Sequence, residues 1–564
     1  MGNNGARLKA VTILILLVFF AIILRIAFLQ TVKHKFYSEL SVDQRTSQIK
    51  LASDRGDIFD RNGILLATSK DTFSVFVRPR AMEDKERVLS ALLRSFPPER
   101  KLIEEKFARN SAFWLVRKKD KRTADLAKSI KSTEIDIFRE KKRVYPKGHF
   151  ASQLIGTVGL DNDGLSGIEY GLDKELRGVE GQYIFEKDVR GQQIATGFSK
   201  EIQKPLSGMD VYLTIDESIQ YVAERELKKA AEKYRPESAS ITVMDVRTGE
   251  ILAIASLPDF DPNYPSKFPI QNWKLRPMTD MYEPGSTFKI ITAASGIEYG
   301  LVGPDTPVPC PPKIVVGGRT ISNSHAVKAK NPTLRDVIAE SLNTGTTYVS
   351  LKIGKERFYQ HIKAFGFGEK TGTGYPGEAK GLLPTPNNWH KSAEAMISFG
   401  QTISVTPIQL LTAAASIANS GVRVKPSVVS VIESPDKSIV KANSTETRGN
   451  TVSAATCEKV ADLMRGVALM PHGTGHKAKL LQYSTAVKTG TAQKVIPGAG
   501  YIPMSAQNFV ASIVGFVPAK EPRIAIIVVL DHPKGTIWGA VAAAPVFKEV
   551  GEFTLRYLDA APDL

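Results

Sequence analysis

Ser286-Thr287-Phe288-Lys289, Ser341-Leu342-Asn343 and Lys488-Thr489-Gly490-Thr491 follow one another along the chain. Together they hold the residue types that acyl transfer from a serine requires. A serine hydroxyl is a weak nucleophile until a neighbouring base takes its proton. Lysine is such a base only when neutral, and burial or a nearby cation brings that about. On a helix, a lysine three positions after a serine stacks one turn above it on the same face, within reach of the hydroxyl. The spacing alone is weak, because Ser47/Lys50, Ser434/Lys437 and Ser438/Lys441 repeat it. The ordered set of three motifs carries the specificity.

Each motif then has one use. Ser286 is the candidate nucleophile and Lys289 its base, with Lys488 the cation that depresses the Lys289 pKa. Ser341 relays a proton to the leaving group while the Asn343 amide orients the substrate. Lys488, with the hydroxyls of Thr489 and Thr491, attracts a substrate carboxylate. Gly490 lets substrate backbone approach, and the backbone N–H groups of Ser286 and Thr491 are candidates for an oxyanion hole. The catalytic set is thus Ser286, Lys289 and Ser341; the substrate-binding set is Asn343, Lys488, Thr489, Gly490 and Thr491.

Other patterns fall away on inspection. Lys370-Thr371-Gly372-Thr373 runs into Gly374-Tyr375-Pro376-Gly377, a turn whose proline breaks any strand. The Gly-x-Gly-x-x-Gly within it has no preceding strand, so it does not read as a dinucleotide site. His472 and His476 are separated by Gly473 and Gly475, unlike a helical metal pair. Cys310 and Cys457, the only cysteines, lack metal-ligand or redox spacing and read as two buried thiols, with a disulfide between them left open. No cofactor and no metal is expected.

The elements that must position these residues are legible in outline. Pro284-Gly285 precedes Ser286, and apolar spacing from Thr287 to Ile297 places the serine at a helix N-terminus. Tyr483 to Val487 reads as the edge strand entering Lys488. Asp210 to Ile215 reads as a strand, and Thr214-Ile215-Asp216-Glu217 as a capping box for the helix that follows. Ser238 to Asp245 and Glu250 to Ser256 form a hairpin, Phe509 to Val517 and Arg523 to Leu530 two more strands, and Pro545 to Tyr557 a closing helix. Strands bracketing a helical middle imply an α+β fold, an antiparallel sheet covered by helices. Upstream, Asp60-Arg61-Asn62-Gly63 reads as a hairpin turn.

At 564 residues the chain is long enough for an anchor and at least two domains, and 42% hydrophobic residues place it among folded proteins. Ala10 to Leu29 is apolar save Thr12 and Arg25, about 20 residues, the length that crosses a bilayer. A single-pass anchor is the reading favoured over a cleaved signal peptide. The net charge of +17 suits nucleic acid, a membrane or an anionic polymer alike. Its dense runs, Arg117-Lys118-Lys119 with Lys121-Arg122 and Lys141-Lys142-Arg143, lack interleaved aromatics and read as solvated faces rather than a nucleic-acid site.

With these motifs in place, the chain resembles the class B penicillin-binding protein transpeptidases, the division-type subgroup most closely. Arg55-Gly56-Asp57-Ile58-Phe59-Asp60-Arg61-Asn62-Gly63, Glu283-Pro284-Gly285-Ser286-Thr287, Thr406-Pro407-Ile408-Gln409 and Ala543-Ala544-Pro545-Val546-Phe547 carry that resemblance. It implies a cytoplasmic tail over 1–9, a transmembrane signal-anchor over 10–29, a non-catalytic pedestal or dimerisation-type domain over 30–205, and a penicillin-binding domain over 206–564. It implies a peptidoglycan D,D-transpeptidase in which Ser286 attacks the penultimate D-alanine of a stem peptide and releases the terminal one. Beta-lactams would be its inhibitors, and a polytopic glycan polymerase with other division proteins its partners at the inner membrane, the catalytic domain lying outside the cytoplasm. Leu342 stands where Ser-Asp-Asn enzymes carry aspartate. A D,D-carboxypeptidase or beta-lactamase sharing the serine site, and a non-enzymatic sensor or septal scaffold, are the alternatives.

Overall fold

A computed structural model describes residues 4–51, 53–186, 199–496, 500–501 and 508–564. Part of the tail expected over 1–9 therefore lies outside the described residues. The chain divides into two compact units, Met1–Asp54 with Gly178–Ser207, and Arg55–Arg177 with Gly208–Leu564. The first contains an apolar helix, Asn4–Thr31, a shorter helix, His34–Arg45, and a three-stranded antiparallel sheet centred on Gly181–Glu186. The most apolar 18-residue stretch of the long helix has a mean hydropathy of 2.9, and none of that stretch is buried in protein, as a bilayer-spanning segment requires.

In the second unit a seven-stranded sheet is built on the strand Leu65–Val77. The Asn-Gly turn is present where the sequence places it. Asp60 Oδ1 accepts from the N–H of Asn62 and of Ile64, each at 2.8 Å, and Gly63 takes φ +81°, a conformation that costs glycine little. Strands Asp210–Leu213, Val429–Glu433 and Ile439–Ala442 join the same sheet from far along the chain.

The basic run ending at Arg143 is not uniformly solvated. Arg143 and Arg55 are both buried and flank the fully buried Glu169, each with Nε 2.6 Å from one of its carboxylate oxygens. A buried carboxylate can stay charged only with such partners. Arg117, in the other run, pairs with Glu140 and Asp161.

The remainder forms the expected helix-covered antiparallel sheet. Helix α1 (Glu217–Tyr234) leads into β1 (Ser238–Asp245) and β2 (Ile251–Leu257). After α2 (Lys289–Glu298), α3 (Leu334–Ala339), α4 (Asn343–Ile353), α5 (Pro407–Ala418) and α6 (Ala454–Leu469) come β3 (Ala486–Gln493), β4 (Phe509–Val517), β5 (Ile524–Asp531) and the closing helix α7 (Ala544–Tyr557). The sheet order is β2-β1-β5-β4-β3, antiparallel throughout, with β3 at the edge. Every residue of β4, and Ile524 to Leu530 of β5, is buried. Unbroken apolar runs of this kind mean that both faces of the sheet are covered. Helix α5 packs on β4 and β5, while α1 and α7 pack on each other and on the sheet.

One local expectation is corrected. Asp216, not Thr214, caps α1, its carboxylate accepting from Ser218 and Ile219 N–H. Thr214 Oγ1 is committed to the carbonyls of Ile251 at 2.8 Å and Ser427 at 2.9 Å. Those tertiary bonds satisfy a hydroxyl that is otherwise buried, and they outweigh the local motif.

Candidate active site

Ser286 sits on a 3₁₀ turn, Gly285–Phe288, that runs directly into α2 at Lys289. Three contacts hold the turn. Phe288 is fully buried against Phe367, with ring centroids 5.2 Å apart. Thr287 Oγ1 donates to the Pro284 carbonyl at 2.6 Å. Gly285, at φ +55°, donates its N–H to the Gly400 carbonyl at 3.0 Å. The two glycines are in backbone contact, and a Cβ on Gly400 would fall 2.2 Å from Gly285 O.

Ser341 lies in the connection between α3 and α4 at φ +62°, a left-handed conformation that costs a non-glycine residue about 1–2 kcal/mol. Its neighbours pin it there. Thr333 and Asp336 form a capping box at the start of α3, Glu340 N–H closes on Asp336, and Leu342 N–H bonds to Val337 at 2.9 Å. Leu342, the departure from Ser-Asp-Asn, is fully buried in the core, so it supplies anchorage rather than chemistry. Asn343 opens α4, and its amide Nδ2 donates to the Ser322 carbonyl at 2.9 Å.

The two lysines meet at Ser341. Lys289 Nζ donates to the Ser341 carbonyl at 2.6 Å, to Asn343 Oδ1 at 2.7 Å and to Ser341 Oγ at 3.3 Å. Lys488 Nζ donates to the same Oγ at 2.9 Å and to the Thr489 carbonyl at 3.0 Å. Both side chains are fully buried. Burial, reinforced by the Lys488 charge, holds the Lys289 pKa well below its ordinary value, and burial alone brings Lys488 to about 7. Among the described residues, no hydrogen bond joins Lys289 to the Ser286 hydroxyl. The structure therefore links Lys289 to Ser341 and Asn343.

Above these lysines lies a cleft of about 490 Å³ whose lining includes Ser286, Ser341, Asn343, Thr489 and Thr491. Lys488 and Gly490 are absent from that lining. The approach expected of substrate at Gly490 is made by protein instead, since a Cβ there would lie 2.4 Å from Ser512 Oγ and 2.8 Å from Thr287 Cγ2. This glycine lets the Ser286 turn dock on β3.

Two residues escaped the sequence reading. Thr474 Oγ1 accepts from Thr489 Oγ1 at 2.9 Å and lines the cleft. Its signal was the small-residue run Gly473-Thr474-Gly475, overshadowed by the flanking histidines. Glu340, next to Ser341, is fully buried and accepts from the N–H groups of Lys328 and Ala329 at 2.9 and 3.0 Å, tethering the loop before α3 to the centre of the site.

The decoys have structural employment. His472 Nε2 is 3.0 Å from Asp336 Oδ1, and His476 Nδ1 is 3.2 Å from the Ala468 carbonyl. Thr371 of the second Lys-Thr-Gly-Thr gives both its N–H and its hydroxyl to Glu378. Lys437 pairs with Asp210 and Glu433 at the surface. Cys310 and Cys457 are free thiols, and Cys310 is half-buried rather than buried, packed where a Cβ on Gly345 would come within 2.9 Å of its Sγ.

The likeness to known proteins extends over both regions. Residues 239–552 match the Penicillin binding protein transpeptidase domain, and residues 50–213 the Penicillin-binding Protein dimerisation domain. The chain is 33% identical to the Stage V sporulation protein D of Bacillus subtilis, over 99% of this chain and 86% of that protein. It is 30% identical to the peptidoglycan D,D-transpeptidase FtsI of Escherichia coli, over 96% and 90% respectively. Among solved structures, penicillin binding protein 3 of Mycobacterium tuberculosis complexed with aztreonam superposes with a TM-score of 0.70 at 28% identity, covering 92% of this chain and 98% of that one. The ordered motifs, the edge strand beside the serine turn and these matches together show that the chain belongs to the penicillin-binding protein transpeptidases, as a class B member of the septal type.

Proposed function

We propose that this protein is a serine-type peptidoglycan D,D-transpeptidase in which Ser286 forms the acyl-enzyme. The hydrogen bonds that join Lys289 and Lys488 at Ser341, and Lys289 to Asn343, carry the reading. Ser286 Oγ attacks the carbonyl of the penultimate D-alanine, and its proton passes through neutral Lys289. Ser341, in contact with both lysines, returns a proton to the departing D-alanine amine. The amine of a neighbouring stem then attacks the ester, its C–N bond forming as the Ser286 C–O bond breaks. Thr489, Thr491 and Thr474 offer hydroxyls to the terminal carboxylate, and backbone N–H groups of Ser286 and Thr491 serve the oxyanion. Beta-lactams acylate the same serine.

The apolar helix at residues 5–31 supports a membrane-anchored enzyme. On this reading the catalytic unit faces the extracytoplasmic side, where its stem-peptide substrate is found. A polytopic glycan polymerase and other division proteins are its partners on this reading, which rests on the family resemblance of the motifs.

The test is labelling with a fluorescent penicillin. Label should appear on the Ser286 peptide, persist for hours and vanish in Ser286→Ala. Release within minutes would identify a hydrolase, and label independent of Ser286 in folded protein would overturn the assignment.

A further inference from the structure

A cavity of about 320 Å³ opens beside β2, the edge of the catalytic sheet opposite β3. Helix α1 lines it with Glu224 and Lys228, β2 with Ala255 and Leu257, and the segment that precedes the sheet with His149 and Gln153. That segment is fastened here. Lys147 pairs with Glu217, His149 with Asp259, and Gln153 Nε2 donates to the carbonyls of Ser256, Pro258 and Asn272. The cavity thus lies where the region before the catalytic sheet is joined to it, and no residue assigned to acyl transfer lines it.

Most charged groups in the lining are committed to protein partners. His149 Nδ1 lies 3.1 Å from Asp259 Oδ1, and Arg225 Nε is 2.7 Å from Glu226. Glu224 and Lys228 remain. Glu224 Oε1 accepts both the Ala151 N–H and the Gln220 amide, each at 2.7 Å, while Oε2 has no hydrogen-bond partner among the described residues. Glu224 keeps some exposure, and Oε2 is not among the sealed polar atoms, so this oxygen is open to the cavity. Lys228 is exposed and makes no ion pair or hydrogen bond among the described residues. Residues four apart on a helix share a face, with Cβ atoms about 5–6 Å from each other. One wall therefore offers an acceptor and an ammonium side by side, each without a partner. Burial lifts the Glu224 pKa to about 7, with Asp259 and His149 acting on it in opposite directions from the facing segments. A cation placed at Oε2 draws the group into its charged form.

We propose that this cavity binds a small zwitterionic α-amino acid, its ammonium on Glu224 Oε2 and its carboxylate on Lys228. Such a ligand carries both charges on one carbon, which matches two side chains a single helical turn apart. Ala255 and Leu257 supply an apolar wall for a short side chain. The D-alanine set free in the proposed acylation belongs to this class, and only that link to product rests on Ser286 as the acylated residue. Bound at the joint between the two regions, it places a reporter of turnover on the far edge of the catalytic sheet from β3.

The test is equilibrium dialysis of the full chain in detergent against radiolabelled D-alanine, with penicillin present to fill the catalytic cleft. Loss of one charge-assisted contact raises the Kd about tenfold in Glu224→Gln and in Lys228→Ala, while the rate of acylation by fluorescent penicillin stays within about twofold of wild type. Affinity falls about tenfold from pH 8 to pH 6 as Glu224 takes up a proton, and Glu224→Gln lacks that fall. Lys228→Ala, which disturbs no bond of the protein, decides the matter if Glu224→Gln lowers Tm. Propionate and ethylamine, with one charge each, do not displace the label at equal concentration. Absence of binding by wild type, or binding unchanged in both variants, overturns the site. Wild type that binds D-alanine through Glu224 and Lys228 yet takes no penicillin on Ser286 upholds the site and overturns the nucleophile assignment.

Discussion

Ser341 Oγ accepts from two buried lysines, and its chemistry depends on how their protons are shared. Lys289 works as a base only when neutral, so acylation falls on the acid side as it protonates. Removing the Lys488 cation in Lys488→Met lets the Lys289 pKa rise, which moves that acid limb to higher pH and slows acylation at neutral pH by about tenfold per unit of movement. The pH profile of penicillin acylation reads this directly. Stability moves as well. Lys488 titrates near 7 when folded, against an ordinary value of 10.5. Between those values the unfolded chain binds the extra proton, so wild-type stability rises with pH across that window. The Tm of wild type relative to Lys488→Met should therefore climb from pH 7 to 10, and a constant difference would show that burial does not depress this lysine.

Elements decide how far the sequence alone could go. Strands such as Phe509–Val517 were legible because burial on both faces imposes an unbroken apolar run. The Asp60–Gly63 turn was legible because Asn-Gly is a local signal. The motifs marked the site, since the residue types carry the chemistry. Thr474 and Glu340 were hidden, because their roles arise only when α3, α6 and β3 converge. Arg143 looked like part of a solvated basic run, and only tertiary structure brings Glu169 to it. That triad yields a prediction for the seven-stranded sheet, whose strand Ile135–Val144 carries Arg143. Glu169→Gln leaves Arg143 buried without its Glu169 counter-charge and Arg55 with Asp173 alone, and should destabilise the unit by about 3–5 kcal/mol. Chemical denaturation with two probes, Trp114 for these strands and bound penicillin for the catalytic sheet, would report it; a loss below about 1 kcal/mol would mean that the arginines find other partners.

For the whole molecule, the apolar helix and the site separate cleanly. All residues assigned to catalysis and substrate binding lie in the unit comprising Arg55–Arg177 and Gly208–Leu564, whereas the helix Asn4–Thr31 belongs to the other. Deleting residues 1–31 should therefore release the protein from the membrane fraction into buffer without detergent, with Ser286 still labelled by penicillin. Retention on membranes after deletion would locate a second anchoring surface elsewhere.

The glycines around Ser286 bear on how the enzyme could escape a drug. Beyond the Gly285–Gly400 contact and Gly490, a Cβ on Gly539 would lie 2.1 Å from Ser512 O and 2.5 Å from Gly490 O. Any side chain at Gly400 or Gly539 displaces backbone that also aligns the cross-linking reaction, so resistance bought there would be lost as cell-wall synthesis. Viable drug-evading variation is steered to the side chains rimming the cleft, such as Arg319, Gln401, Gln493 and Trp538. Selection under beta-lactam should accumulate changes at that rim while these glycines stay fixed.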